Sequence, residues 1–359
     1  MNEAEQGRVL VTTPRAAIAA KLHKQAGWCR RLGSPLYAYL LEQAAADVEA
    51  GGACWEALRG HDVDPHGSAL ALRFMGAVHR IVLTGESPEL ARYYPSTNGH
   101  IDNAKCWPLF RATVERHRDA LRELVNRPVQ TNEVGRAAAL VGGFLLVSQE
   151  SKLPLRLLEI GASAGLNLRW DHYYYEAESA SFGDQASTVR LTGVFTGGHP
   201  PLATQVRISE RRGCDLNPLD LETEEGELTL LSFVWADQTA RLKMLRGAIE
   251  VARKVVATVD AADAPQWLEA QLMNVVRDTA TVVFHSIMWQ YMSEEGRRRV
   301  VEALEQAGAL ATSNSPLAWL RMEPGNDEAE VRLKTWPNGQ ERLIATAGFH
   351  GQNVRWLLG

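Results

Sequence analysis

The chain has 359 residues, 45% of them apolar and 23% charged, and carries a formal net charge of −5. This is the composition of an ordinary soluble globular protein with room for two domains, and it gives no global electrostatic reason to expect a nucleic-acid partner. The longest apolar run, roughly residues 137–147, contains Gly142-Gly143 and falls well short of the ~20 residues a bilayer span requires, so it reads as a buried helix and no membrane segment is expected.

The first ~130 residues read as helical. "SPLYAYLLEQAAADVEA" has Ser34 as a cap, Pro35 at the first helical position and apolar residues at helical spacing. "SALALRFMGAVHRIVLTG" repeats the pattern and stops at Gly85, and "WPLFRATVERHRDALRELVNRP" stops at Pro128. Between the first two, "HDVDPH" (residues 61–66) gathers two His and two Asp in six positions. Spacing alone does not make a metal site, and Pro65 suits a loop leading into the helix at Ser68, which is the preferred reading. Cys29, Cys54, Cys106 and Cys214 form no C-x-x-C pair and match no zinc ribbon or finger. With no secretory signal at the N-terminus, free thiols in a reducing cytoplasm are expected, and no metal.

The texture changes after Pro128. "TNEVGRAAALVGGFLLVSQE" starts with polar residues and runs into an apolar helix. "LRLLEI", bounded by Pro154 and Gly161, has the look of a buried parallel strand, and so do runs in "QVRISERRGCDL", "KVVATVD", "TVVFHS" and "LAWLRM". Helical stretches at residues 228–253 and 294–307 separate several of them, which implies a parallel sheet with helices on both faces. Arg297-Arg298-Arg299 lies in the second stretch and reads as a solvated face. "EVRLKTW", then Pro337-Asn338-Gly339, then "ERLIATAGF" is a hairpin signal at the sheet edge.

The densest functional signal is "RLLEIGASAGLNLRWDHYYYE", residues 156–176. Gly161-Ala162-Ser163-Ala164-Gly165 fits G-x-S-x-G, the elbow that presents a nucleophilic serine in α/β-hydrolases. A triad would then need an Asp and a His downstream, such as Asp260 or Asp263 with His285 or His350. Against this, no H-G-G-G-type segment lies upstream, the preceding region is helical, and the elbow has no need of Glu159. The same residues fit a glycine-rich turn that opens onto a nucleotide cofactor. Gly161 makes the sharp turn, Gly165 allows close approach, Ser163 stands where a small residue is tolerated, and Glu159 can hold a polar group of the cofactor. The position where a dinucleotide fingerprint wants glycine or alanine holds Leu166.

The segment resembles the E/D-x-G-x-G-x-G turn of class I S-adenosylmethionine-dependent methyltransferases. The resemblance implies a Rossmann-like α/β fold, S-adenosylmethionine as cofactor and a small-molecule methyl acceptor. It implies that Asp215 in "RRGCDLNPLD" takes the ribose hydroxyls, that Asp263 (with Asp260 as runner-up) lies near the adenine, and that His285 and Ser286 lie near the reacting methyl. His285 is the candidate base or orienter, or else a structural histidine. Asp215 follows Gly165 by 50 residues, a wide gap. The segment between looks like an inserted hairpin and loop; if "YYYEAE" were the second strand, Glu176 or Glu178 would be the ribose acid. Asn132, Glu133 and Arg136 are expected on one face of the helix before the first strand, where they either line the substrate cleft or serve as cap and ion pair; Tyr291 is a further lining candidate. "PGNDEAE" is too short for the helix that usually joins the last strands of such sheets.

"QTNEVGR", "LEIGASAGLNL", "RRGCDLNPLD", "VWADQTARL", "VVFHSIMWQYM" and "GFHGQNVRW" together resemble an uncharacterised bacterial family, a domain of unknown function (DUF2332). That resemblance implies a fold and carries no activity. The expectation is a helical region at residues 1–129 followed by a methyltransferase-like α/β domain at 130–359. The rival functions are a serine hydrolase using Ser163 and a non-catalytic binding module.

Overall fold

The structure is a computed structural model and describes residues 13–358. The described residues divide into two compact units, one running to Gln130 together with Leu228–Leu242, the other comprising Thr131–Glu227 and the described residues from Lys243 on.

Among the described residues the first unit holds helices and no strand; it is built mainly from Pro14–Arg31, Pro35–Ala50, Ala53–Leu58, Leu70–Leu83, Asn103–Arg116 and Arg118–Leu124 around a core that includes Leu22, Tyr37, Leu41, Phe74 and Phe110. The predicted third amphipathic segment is two helices, parted at His117. The predicted helix over 228–253 is also two, Glu224–Phe233 and Thr239–Ala252. Between them "VWAD" puts Trp235 and Ala236 into the helical core. Asp237 supplies the cap that Ser34 was expected to make: Ser34 Oγ donates to Asp237 Oδ1 and the Leu36 amide donates to Oδ2 at 2.9 Å. Neighbouring sequence could not reveal a cap that comes from 201 residues away. In the "HDVDPH" loop, Lys21 Nζ donates to the carbonyls of His61, Asp62 and Asp64 at 3.0–3.1 Å, and Asp64 pairs with Arg73 and His61. A protein cation sits among these ligand types.

The second unit is a mixed α/β body. Its strands are β1 (Leu155–Ile160), β2 (Tyr174–Glu176), β3 (Ser181–Phe182), β4 (Arg190–Thr192), β5 (Phe195–Thr196), β6 (Ile208–Asp215), β7 (Thr258–Ala261), β8 (Ala280–Ser286), β9 (Leu317–Pro324), β10 (Ala329–Trp336), β11 (Gln340–Ala347) and β12 (Val354–Trp356). A nine-stranded sheet runs β5-β12-β11-β10-β9-β8-β1-β6-β7, and a small sheet runs β3-β2-β4. The five strands from β7 to β9 are parallel; β9 to β12 form the antiparallel edge that the Pro-Asn-Gly hairpin announced. "PGNDEAE" is accordingly a tight connection between antiparallel neighbours rather than a helical crossover.

All six residues of β1 are buried, as a central strand covered on both faces requires. The helix Arg136–Ser151 packs on one face, where Gly142 and Gly143 admit Trp356 and Leu320 at distances that leave no room for a Cβ. On the other face, Leu158, Val283 and Trp319 meet Trp267, Val300 and Leu304 from the helices Ala264–Leu272 and Glu294–Ala309. Arg298 pairs with Glu295 and Glu302 on the solvated side of the latter helix. Among the described residues no helix is long and apolar enough to cross a membrane.

Candidate functional site

Counted along the chain, the parallel strands take the order 3-2-1-4-5. The order reverses between β1 and β8, and in open sheets of this kind the ligand crevice lies beyond the carboxyl ends of the strands at such a reversal. Gly161 leaves β1 at that point and Ser286 ends β8 beside it.

The turn has a specific backbone. Gly161, Ser163 and Gly165 all have positive φ, at +70°, +54° and +68°. Glycine accepts this without cost; Ser163 does so only because its surroundings hold it. Its amide donates to Asp215 Oδ2 at 2.9 Å, and the Leu166 amide donates to Asn132 Oδ1 at 2.8 Å. A Cβ at Gly161 would lie 3.1–3.2 Å from the Met288 side chain, and one at Gly165 would lie 2.9 Å from Val259. Gly165 therefore serves close packing of the protein on itself. The segment after the turn, Leu166–His172, is a kinked 3-10 stretch rather than an α-helix.

Asp215 ends β6, which pairs directly with β1. Its Oδ1 accepts from the Asn217 amide at 2.9 Å. "YYYEAE" lies in the small sheet instead, where Tyr174 donates to Glu176, so Glu176 and Glu178 do not follow a neighbour of β1. Asp263 precedes the helix Ala264–Leu272, just past β7. The runner-up Asp260 is committed to structure: Arg212 donates to both its oxygens at 2.7 and 3.1 Å, and Trp267 Nε1 donates at 2.6 Å.

Register separates two of the candidates. Glu159 lies opposite Phe284, so Glu159 and His285 point to opposite faces of the sheet. Glu159 is 2% exposed, and among the described residues its Oε2 has no hydrogen-bond partner. Burial pushes its carboxyl well above the usual range; the Arg169 cation opposes this and Asp215 adds to it. His285 is fully buried. Trp319 Nε1 donates to its Nε2 at 3.1 Å, which leaves Nδ1 to carry the ring proton toward Glu323 Oε1 at 2.6 Å. Both nitrogens are engaged, so removing a proton from a substrate would break one of these bonds. The arrangement suits an orienting group. Glu323 Oε1 also accepts from the Met288 and Trp289 amides at 3.1 and 3.4 Å, and the Trp289 ring stacks on His285 at 5.1 Å.

The "TNEVGR" residues depart from expectation. The helix begins at Arg136, with Gly135 in the cap position, so Asn132 and Glu133 precede it and share no helical face with Arg136. Asn132 instead holds the glycine turn, Asn167 Nδ2 donates to the Glu133 carbonyl at 3.4 Å, and Arg136 donates to the carbonyls of Ser286 and Phe349, both at 3.1 Å. The segment is a strap that ties the turn, the end of β8 and the "GFHG" loop together. Tyr291 is 64% exposed at the end of the short helical turn that follows β8.

Sequence reading missed Glu323. "LAWLRMEP" marks a strand, and an acid at the carboxyl end of a parallel strand is the same signal that singled out Asp215. Trp319 gave no signal, because its bond to His285 depends on strand register.

The six fragments "QTNEVGR", "LEIGASAGLNL", "RRGCDLNPLD", "VVFHSIMWQYM", "GFHGQNVRW" and "VWADQTARL" thus fall into two groups. The first five contribute the turn, its strap and the neighbouring strand ends, and the last builds the helical core. No curated protein and no solved structure matches this chain. A family model does match, over residues 19–356, and the chain belongs to the family described as "Uncharacterized protein conserved in bacteria (DUF2332)".

Proposed function

We propose that the protein is an S-adenosylmethionine-dependent methyltransferase of class I type acting on a small molecule. The observation that carries the reading is the turn after the central strand. It combines positive φ at Gly161, Ser163 and Gly165, a position at the reversal of strand order, and carboxylates at the ends of the next two strands. Asp215 would accept from the ribose hydroxyls. Its two backbone bonds leave lone pairs, because a carboxylate offers about four acceptor sites. Asp263 would lie near the adenine. The unmatched Glu159 Oε2 under the turn fits a donor supplied by a ligand. The cofactor supplies an activated methyl group. What the chain must do is align acceptor, methyl and sulfur and exclude water. His285, clamped by Glu323 and Trp319, would position the rim of that cleft.

A serine hydrolase is disfavoured. Ser163 is 3% exposed, whereas an elbow nucleophile stands exposed above its sheet, and His285 has no free nitrogen to serve it. The test is titration calorimetry with S-adenosylmethionine and S-adenosylhomocysteine, backed by thermal shift. Ligand at 100 times Kd should add about 2.7 kcal/mol to stability. Absence of binding, or labelling of Ser163 by a fluorophosphonate, would overturn the reading.

A further inference from the structure

The second unit holds a cavity of about 370 Å³ on the face of the sheet occupied by the 3-10 stretch, lined by Ala164, Leu219, Leu221, Ala252 and Val259. It includes neither Asp215 nor Asp263. Arg169 lines it as well. This guanidinium is only 6% exposed, and its bonds go to neutral carbonyls: Nε to Val255 at 2.8 Å, Nη1 to Gly165 at 2.7 Å and to Ala164 at 3.3 Å. Among the described residues Arg169 has no carboxylate ion-pair partner, and Nη2 has no hydrogen-bond partner. Glu159, the carboxyl group that couples to Arg169 electrostatically, is buried and held toward its neutral form. A buried cation without an anion is costly, and proteins normally pair such groups.

We infer that this cavity is a binding site for a small monocarboxylate with a short apolar body, its carboxylate on Arg169 Nη2 and its body against Leu219, Leu221 and Val259. The volume is at the low end of that of small-molecule pockets. The charge balance selects the class. One uncompensated positive charge calls for one negative charge. Arg253 adds none, because its guanidinium is engaged by the Leu221 carbonyl and Glu227. Asp220 and Glu222, exposed lining residues, would repel a phosphate dianion more strongly than a monocarboxylate. A neutral or cationic ligand of the same shape would leave Arg169 unpaired.

The experiment is titration calorimetry of the full chain with hexanoate, 1-hexanol, hexylamine and inorganic phosphate. Hexanoate should bind at least about tenfold tighter than the other three, a difference of ~1.4 kcal/mol. Val256→Glu, at an exposed lining position, should weaken hexanoate about threefold or more. Ala252→Trp should abolish binding by filling the cavity. Arg169→Gln should remove the preference for hexanoate over hexanol. Should that variant fail to fold, the ligand ratios on the native protein and the Val256→Glu result still decide. The inference falls if hexanoate does not bind, if hexanol, hexylamine or phosphate binds as well, or if Val256→Glu changes nothing. S-adenosylhomocysteine titrated into the Val256→Glu protein reads the methyltransferase proposal separately.

Discussion

Gly161 carries the first prediction at the scale of single residues. Valine there would meet φ +70° and the Met288 side chain together. Gly161→Val should abolish S-adenosylhomocysteine binding in calorimetry, and unchanged affinity would remove the turn from the site. Asp215 is tested by a comparison. Asp215→Ala should weaken the same ligand at least about tenfold, while Glu176→Ala and Glu178→Ala, in the small sheet, should stay within about threefold. Glu159 makes a pH prediction. Its folded-state pKa is raised, so the native state keeps a proton that the unfolded chain has already released above its ordinary carboxyl pKa. The native protein therefore loses stability as pH rises from about 4.5 toward the raised value. Glu159→Gln should remove that loss. Its melting temperature should exceed the native one by about 3 °C or more at pH 8, the effect of ~1 kcal/mol in a domain of this size, and the gap should close toward pH 5. A gap independent of pH would mean that Glu159 is ionised in the folded protein.

At the scale of elements, the carboxyl ends of β8 and β9 act as one clamp. Ile287, a β-branched residue, sits at φ +50° immediately after β8, a conformation that costs ~1–3 kcal/mol and persists only when neighbours enforce it. Glu323 does so by accepting from His285 and from the next two backbone amides. Glu323→Ala would leave these donors unmatched in a partly buried place, where each costs ~1–3 kcal/mol. Its melting temperature should fall by several degrees, and nitrogen chemical shifts at neutral pH should show the His285 proton leaving its fixed Nδ1 position. A single Nδ1-protonated form that survives the substitution would show that Trp319 alone sets the tautomer.

For the whole molecule, the four cysteines offer a readout that spans both units. All are buried and free, three in the helical unit and Cys214 in β6. Burial pushes the Cys29 and Cys106 thiols up to about 12, and raises Cys54 and Cys214 as well. Thiolate is the reactive species, so the native protein should resist Ellman's reagent for hours at pH 8, with all four thiols reacting once it is denatured. Rapid reaction of one thiol, assigned by peptide mapping, would identify the unit that opens first.

The strand "LRLLEI" was readable to the residue because a central parallel strand must be apolar along its whole length. The glycine turn was readable because positive φ selects glycine, and the terminal hairpin because Pro-Asn-Gly allows little else. These are local constraints, written in neighbouring residues. Contacts between residues distant in sequence were not readable. Asn132 and Glu133 looked like helix residues, yet they strap the turn 34 residues onward. Ser34 looked like its own cap, yet Asp237 caps it. His285 read equally as a base or orienter and as a structural histidine, and register alone brought Trp319 and Glu323 to its two nitrogens. Side-chain pattern and turn chemistry determined which elements form, because both act within a few residues. Tertiary structure decided what each polar group does, because a buried donor or acceptor must find its partner wherever the fold brings one.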